Sequence, residues 1–223
     1  MDAAPIWLSL KLATITTILL LVICLPLAWW LSKKRTIFRM LVEVLITMPL
    51  VLPPSVLGFY LLLAFSPQQG LGEWLHEAFD VQLVFSFPGL VLASVIYSLP
   101  FMAGPVKSAL QQLPPSLAQA SYTLGKSQWQ TFKHILLPNI KPALLTAAVL
   151  TFAHTLGEFG VVLMIGGNIP GVTRVASVAV YDAVEQMDFL LAANYALLLF
   201  GITFLLLTGV FIYNRTQIKT PLE

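Results

Sequence analysis

His154 and Glu158 stand four residues apart in an otherwise apolar run. On one α-helix that spacing puts both side chains on the same face. A protonated imidazole would pair with the carboxylate, and a neutral carboxyl would leave only a hydrogen bond. A carboxylate near the centre of a bilayer costs about 2.5–3.5 kcal/mol on insertion scales, so such groups face a bundle interior or water. Two readings stay open: an element of a transport pathway or gate, or a buried polar pair that fixes helix packing. A second candidate is Leu124-Gly-Lys-Ser127, which looks like the end of a phosphate-binding loop. That motif needs a glycine five residues before Gly125, where this chain has Ala120, and a preceding strand, where the pattern here is helical. Nucleotide binding by this chain is not expected. The other histidines, His76 and His134, belong to no Ser/His/Asp order or zinc-ligand spacing. The lone cysteine, Cys24, allows neither an intrachain disulfide nor a metal cluster and reads as a small buried hydrophobe. No catalytic residue, metal or cofactor of this chain is expected.

The elements that position these residues are membrane spans. Of the 223 residues, 58% are hydrophobic and 10% charged, against about 25% charged in a soluble domain. A net charge of +2 gives no argument for nucleic acid. A membrane helix needs about 20 mostly apolar residues. Apolar windows predict five: about 12–32, 40–65, 83–106, 142–165 and 189–214. The runs are continuous rather than alternating, which excludes barrel strands. The first has its positive charges after it, so it reads as a retained span rather than a cleaved signal. Placing the loops after spans one and three, and the C-terminal tail, in the cytoplasm puts ten of the 12 Lys and Arg there. These are Lys33, Lys34, Arg35, Arg39, Lys107, Lys126, Lys133, Lys141, Arg215 and Lys219. Lys11 and Arg174 fall outside, with Asp2, Glu73, Glu77, Asp80, Asp182, Glu185 and Asp188. The positive-inside rule then predicts an outer N-terminus and an inner C-terminus. Glu43 is expected to snorkel or pair with Arg39.

Pro26, Pro49, Pro53, Pro54 and Pro100 are expected to interrupt spans, which lipid tolerates only where protein or water satisfies the freed backbone. Pro53 and Pro54 mark a pathway-lining or tightly packed helix. Outside, Leu71, Trp74, Leu75, Ala78 and Phe79 fall at helical spacing and predict an interfacial or packing helix. The inner loop 111–141 predicts two short helices. Ser116 with Gln119, and Ser127 with Gln130, are capping-box patterns. Gly125 suits a helix stop with positive φ, and Pro138 is expected to end the second helix. Trp129 and Phe132 are too apolar for a solvated connector; they dock onto the chain's own spans or onto a partner.

The run Gln119-Ala-Ser-x-x-x-Gly125, continued by Ile135-x-Leu-Pro138, resembles the Glu-Ala-Ala…Gly…Ile-x-Leu-Pro signature of ABC importer permeases, with the spacing matched. Gln119 replaces the usual Glu, and Ser121 the second Ala. Thr155-Leu-Gly-Glu-Phe-Gly160, Gly167-Asn-Ile-Pro-Gly171 and Met48-Pro-Leu-Val-Leu-Pro-Pro54 together are similar to the molybdate branch of these permeases. The Gly-Glu-Phe-Gly element is shared with sulfate permeases. Members of the branch carry Arg four residues before the Glu, where this chain has His154. The resemblance spans residues 7–214. It implies an all-α polytopic bundle of the type I importer fold, with coupling helices at 116–137 and a short cytoplasmic tail at 215–223, too short for a further domain. It also implies a homodimer in the bacterial inner membrane, in contact with lipid. A cytoplasmic ABC ATPase dimer would use the ATP and Mg, and a periplasmic binding protein would deliver molybdate, or tungstate or sulfate. The outer segments 66–82 and 167–188 would face that binding protein. Gln119, Ala120, Ser121, Gly125, Ile135, Leu137 and Pro138 would lie at the ATPase contact. Pro53, Pro54, His154, Gly157 and Glu158 are the pathway or gate candidates. An ion-coupled secondary transporter is the rival reading; an intramembrane enzyme lacks a constellation.

Overall fold

The computed structural model describes residues 1–33, 36–68 and 70–218. Lys34, Arg35, Gln69 and Lys219, with the rest of the tail, lie outside the described residues. Among the described residues every regular element is helical: α1 (Ala4–Ser32), α2 (Ile37–Val51), α3 (Pro54–Phe65), α4 (Gly70–Phe79), α5 (Phe87–Gln112), α6 (Pro115–Thr123) and α7 (Gln128–Thr131). A π turn (Phe132–Leu136) follows, then α8 (Leu137–Asn139), α9 (Lys141–Gly157), α10 (Gly160–Gly166), α11 (Ala176–Glu185) and α12 (Phe189–Ile218). Three helices, α1, α5 and α12, are each long and apolar enough to cross a membrane. The count reaches five when two bent pairs are each taken as one span.

The second span is one of these bent pairs. Its two halves, α2 and α3, meet at 116°. Pro53 holds Leu52, and Pro54 holds Pro53, in extended backbone, at ψ 136° and 135°, because the residue before a proline avoids the helical region. Pro54 then opens α3 at a position where a missing N–H costs nothing. The expectation for the other prolines is corrected: Pro26, Pro49 and Pro100 remain inside α1, α2 and α5. The fourth span is also corrected. Its helix begins at Lys141 and stops at Gly157, and the chain restarts as α10 after an extended Glu158. The amphipathic stretch forms α4, with Leu71, Trp74 and Phe79 exposed.

The core has two tiers. Leu12, Leu61, Phe65, Leu90, Val161, Ile165 and Val178 fill one. Leu20, Cys24, Met102, Val106, Phe132 and Ala147 fill the other. Along α1, α5 and α9 the residues between the tiers are hydroxylic: Thr16 and Thr17, Ser94 and Ser98, Thr151 and Thr155, all buried. Small hydroxylic side chains let membrane helices approach closely where burial of apolar surface gives no drive. The hydroxyls of Thr16, Thr17, Ser94 and Thr151 have no hydrogen-bond partner among the described residues. By contrast α12 turns Leu197, Phe200, Phe204, Leu205 and Phe211 outward, as a lipid-facing or subunit-facing helix must.

Candidate functional site

The loop 111–141 is held by the end of α1. Phe132 is buried and stacks on Trp29 at 4.6 Å between ring centroids; Trp129 lies at 6.2 Å from the same indole. Lys33 sits over Trp29 at 4.2 Å and donates to the Gln128 Oε1 at 3.1 Å. The loop aromatics therefore dock onto the chain's own first span, while 57% of Trp129 stays exposed. Sequence reasoning missed Trp29 as the anchor, although an aromatic pair at the end of a span was a usable signal.

Of the two capping patterns, one forms. Ser127 Oγ accepts from the Gln130 amide at 3.2 Å, and Gln130 Oε1 accepts from the Ser127 amide at 2.9 Å. Ser116 caps nothing: Pro115 takes the first helical position and moves the cap to Pro114. Nor does Pro138 end the second helix. It lies in the first turn of α8, the rod runs to Asn139, and the chain bends by 76° into α9. Gly125 has φ +73° as expected, with its amide bonded to the Tyr122 carbonyl and the Lys126 amide to the Ser121 carbonyl. A Cβ at Gly125 would meet nothing within 4 Å, so backbone conformation alone demands glycine within this chain.

The structure divides the seven loop candidates. Gln119, Ala120, Gly125 and Pro138 are exposed, Ile135 and Leu137 half-buried, and Ser121 buried. The Ser121 hydroxyl meets that of Thr131 at 2.8 Å. The departure from Ala at this position thus joins α6 to α7 rather than widening the free surface. Between α6 and the π turn lies a cavity of about 310 Å³ lined by Ser121, Lys126, Gln130, His134 and Ile135.

The pathway candidates gather less simply. His154 and Glu158 do not pair, because the helix ends between them at Gly157. Among the described residues the ion pairs are His76–Asp80, Lys107–Glu43 and Arg174–Asp182. His154 Nδ1 lies 3.0 Å from the Ser98 hydroxyl, which also meets Thr155 Oγ1 at 2.9 Å. Its ring stacks on Phe101 at 3.9 Å. Glu158 is 7% exposed. Its carboxylate accepts from the Val161 amide at 2.9 Å, satisfying one of the free donors at the start of α10. Its carbonyl accepts from the Ser177 hydroxyl of α11. Gly157, Pro53 and Pro54 are exposed. A Cβ on Gly160 would lie 2.6 Å from Pro54 Cβ, so the break after Pro53 and the break at Glu158 meet. Gly58 of α3 abuts Met164 in the same way.

Glu43 takes a different partner from the one expected: Lys107 of α5 donates to it. The pair edges a cavity of about 540 Å³ that Arg39, Thr47 and Gln111 also line. Arg39 sits over Trp30 at 5.1 Å. At the other end, Arg174 joins Asn168 (2.6 Å) and Asp182 (3.4 Å) and ties the turn 167–171 to α11. Gly167, Asn168 and Gly171 all have positive φ in that turn. Ser9 of α1 accepts from the Ala176 amide at 2.7 Å and so caps α11 from another helix.

A broken-helix bundle carrying a two-helix polar loop of fixed spacing defines a transport-system permease. The chain belongs to the family of binding-protein-dependent transport system inner membrane components, whose pattern matches residues 24–217. It is a multi-pass inner-membrane transport component. It is 46% identical over 188 residues to the molybdenum transport system permease protein ModB of Azotobacter vinelandii, covering 84% of this chain and 83% of that one. The sulfate transport system permease protein CysT of Escherichia coli is 34% identical over 83% of this chain and 67% of its own. The fold is shared with a bacterial ABC transporter that imports alginate, at TM-score 0.78 and 16% identity, over 97% of this chain and 79% of that one.

Proposed function

We propose that this chain is the permease of an ATP-driven importer that carries molybdate inward by alternating access. The observation that carries the substrate is the 46% identity, over most of both chains, to a molybdenum permease. Two copies form the pathway, an ABC ATPase dimer binds the loops 115–139, and a periplasmic protein delivers the anion to the outer turns. The N-terminus is outside and the C-terminus inside. The Arg174–Asp182 side of the bundle and α4 face the binding protein.

The geometry suits such a device. Movement of α6 to α8 is passed to α1 through Trp29 and Phe132 and to α9 across the bend at Ile140. The far end of α9 is the Glu158 break, whose α10 lies under α3. A push at the loop is thereby delivered to the paired breaks at Pro54 and Gly160. Gln119, Ala120 and Gly125 meet the ATPase. Pro53, Pro54, Gly157, Glu158 and His154 border the moving region. The Glu158 carboxylate is occupied with a backbone amide, so it need not confront a passing anion.

Uptake into vesicles holding the native ATPase and binding protein tests the reading. Molybdate should accumulate with ATP after every ion gradient is collapsed, and unlabelled molybdate should compete better than sulfate. Loss of uptake with the gradients, ATP remaining, would overturn it in favour of secondary transport. Stronger competition by sulfate would reassign the substrate.

A further inference from the structure

We propose that the free face of the inner loop receives an acidic segment of the ATPase subunit, with one carboxylate seated in the cavity beside Lys126. This rests on the reading of the loop as the ATPase contact and gives that contact its chemistry. The first observation is charge. Between Asp80 and Glu158 the sequence has no Asp or Glu, while Lys126, Lys133 and Lys141 lie on the loop. The position where the family signature has its carboxylate is the neutral Gln119, which is exposed.

The second observation is the cavity itself. Most of its acceptors are already engaged; His134, whose Nδ1 donates to the Gln130 carbonyl at 3.1 Å, keeps only its Nε2. Ser121 Oγ meets Thr131, and Gln130 Oε1 accepts from the Ser127 amide. The last carbonyls of α6, on Ala120, Ser121 and Tyr122, accept from Leu124, Lys126 and Gly125. Beside that one imidazole nitrogen, what is left along the rim are donors: the Lys126 ammonium, which no acceptor among the described residues meets, and the Gln130 amide N–H groups. A concavity rich in donors on a face without carboxylates fits an anionic side chain, and such patches steer a partner of opposite charge. Leu124, 78% exposed, and Tyr122 beside it offer the apolar contact that a charge pair alone does not supply. A carboxylate of the ATPase is favoured over a lipid headgroup because this face is the one read as the ATPase contact.

The test uses the full chain in nanodiscs of uncharged phosphatidylcholine, so that anionic lipid contributes nothing, with its own ATPase titrated at about 50 to 500 mM salt. Wild-type association should weaken as salt rises. Lys126→Glu should bind at least about tenfold more weakly at low salt and should no longer weaken as salt rises, since screening relieves a like-charge pair. Lys126→Gln should fall between the two. Gln119→Glu, which restores the signature carboxylate, should bind no tighter than wild type. Reversal of an acidic residue in the ATPase cleft to Lys should rescue Lys126→Glu. Equal binding of wild type and Lys126→Glu at every salt concentration would overturn the proposal, as would tighter binding of Gln119→Glu. A wild-type chain that binds no ATPase would instead sink the coupling reading beneath it.

Discussion

Gly160 lies directly against Pro54, close enough that a Cβ on the glycine would stand 2.6 Å from the proline Cβ. The contact joins two chain breaks more than a hundred residues apart in sequence. Each break alone would be a kink in a span. Together they make α3 and α10 a packed pair, hinged at one end on Pro53 and at the other on Glu158.

A side chain at Gly160 must therefore separate the pair. Gly160→Val is expected to destabilise the protein by about 1–3 kcal/mol through overpacking and to abolish uptake. Gly104→Ala, where a Cβ would meet nothing within 4 Å, is the control. Thermal unfolding in detergent together with vesicle uptake measures both. Wild-type behaviour of Gly160→Val would show that the breaks separate freely.

Half of this contact was legible in the sequence. Pro53-Pro54 announces its break, because proline acts on its own backbone and its neighbour's. Glu158 was read inside a helix, because hydropathy averages over a window and does not register where an apolar run stops being helical. What holds the extended residue is long-range: Ser177 from α11 on its carbonyl and Pro54 under Gly160. The same contrast runs through the loop. Ser127 and Gln130 cap locally and were read correctly, whereas Ser98, the partner of His154, lies 56 residues away with no local signal. Pairing of His154 with Glu158 failed for the simple reason that i, i+4 geometry needs an unbroken helix.

Gly125 separates backbone strain from contact. Its φ of +73° is costly for most residues but tolerated by Asn. Gly125→Ala is expected to cost about 1–2 kcal/mol, with Gly125→Asn losing much less. If stability follows that order but both variants lose ATPase binding equally, the glycine serves the interface as well. Equal stability of Ala and Asn would refute the backbone explanation.

The Trp29–Phe132 stack is the mechanical link between loop and span. Phe132→Ala is expected to cost about 3–5 kcal/mol, as for other buried aromatics. Amide exchange across 115–139 should quicken more than across α5. The ATPase should still bind, but hydrolysis and uptake should uncouple. Unchanged exchange in the loop would mean that α6 and α7 hold their place without α1.

Lys107 and Glu43 call for a double-mutant cycle. The lysine side chain is 13% exposed and the glutamate 45%. Lys107→Met and Glu43→Gln should each destabilise, the second more per charge removed because it strands the more buried partner. The double variant should recover part of the loss, with a coupling of about 0.5–3 kcal/mol. Strict additivity in chemical denaturation would leave the pair without energetic meaning.

Ser98 bridges His154 and Thr155. Ser98→Ala removes both contacts within a buried layer and is expected to cost about 1–3 kcal/mol, read as a lowered unfolding midpoint. A change below a few tenths of a kcal/mol would place the histidine's support in its aromatic neighbours, Phe101 and Tyr97.

Cys24 is the chain's one thiol, and none of its surface is exposed. It is packed in the same tier as Met102, Ala103 and Val106 of α5. In this arrangement the native protein is therefore silent to alkylating reagents. Any cycle that draws α1 away from α5 uncovers the sulfur, and the rate of its labelling becomes a clock for that opening. The molecule carries its own reporter at the seam where α1 and α5 would have to part.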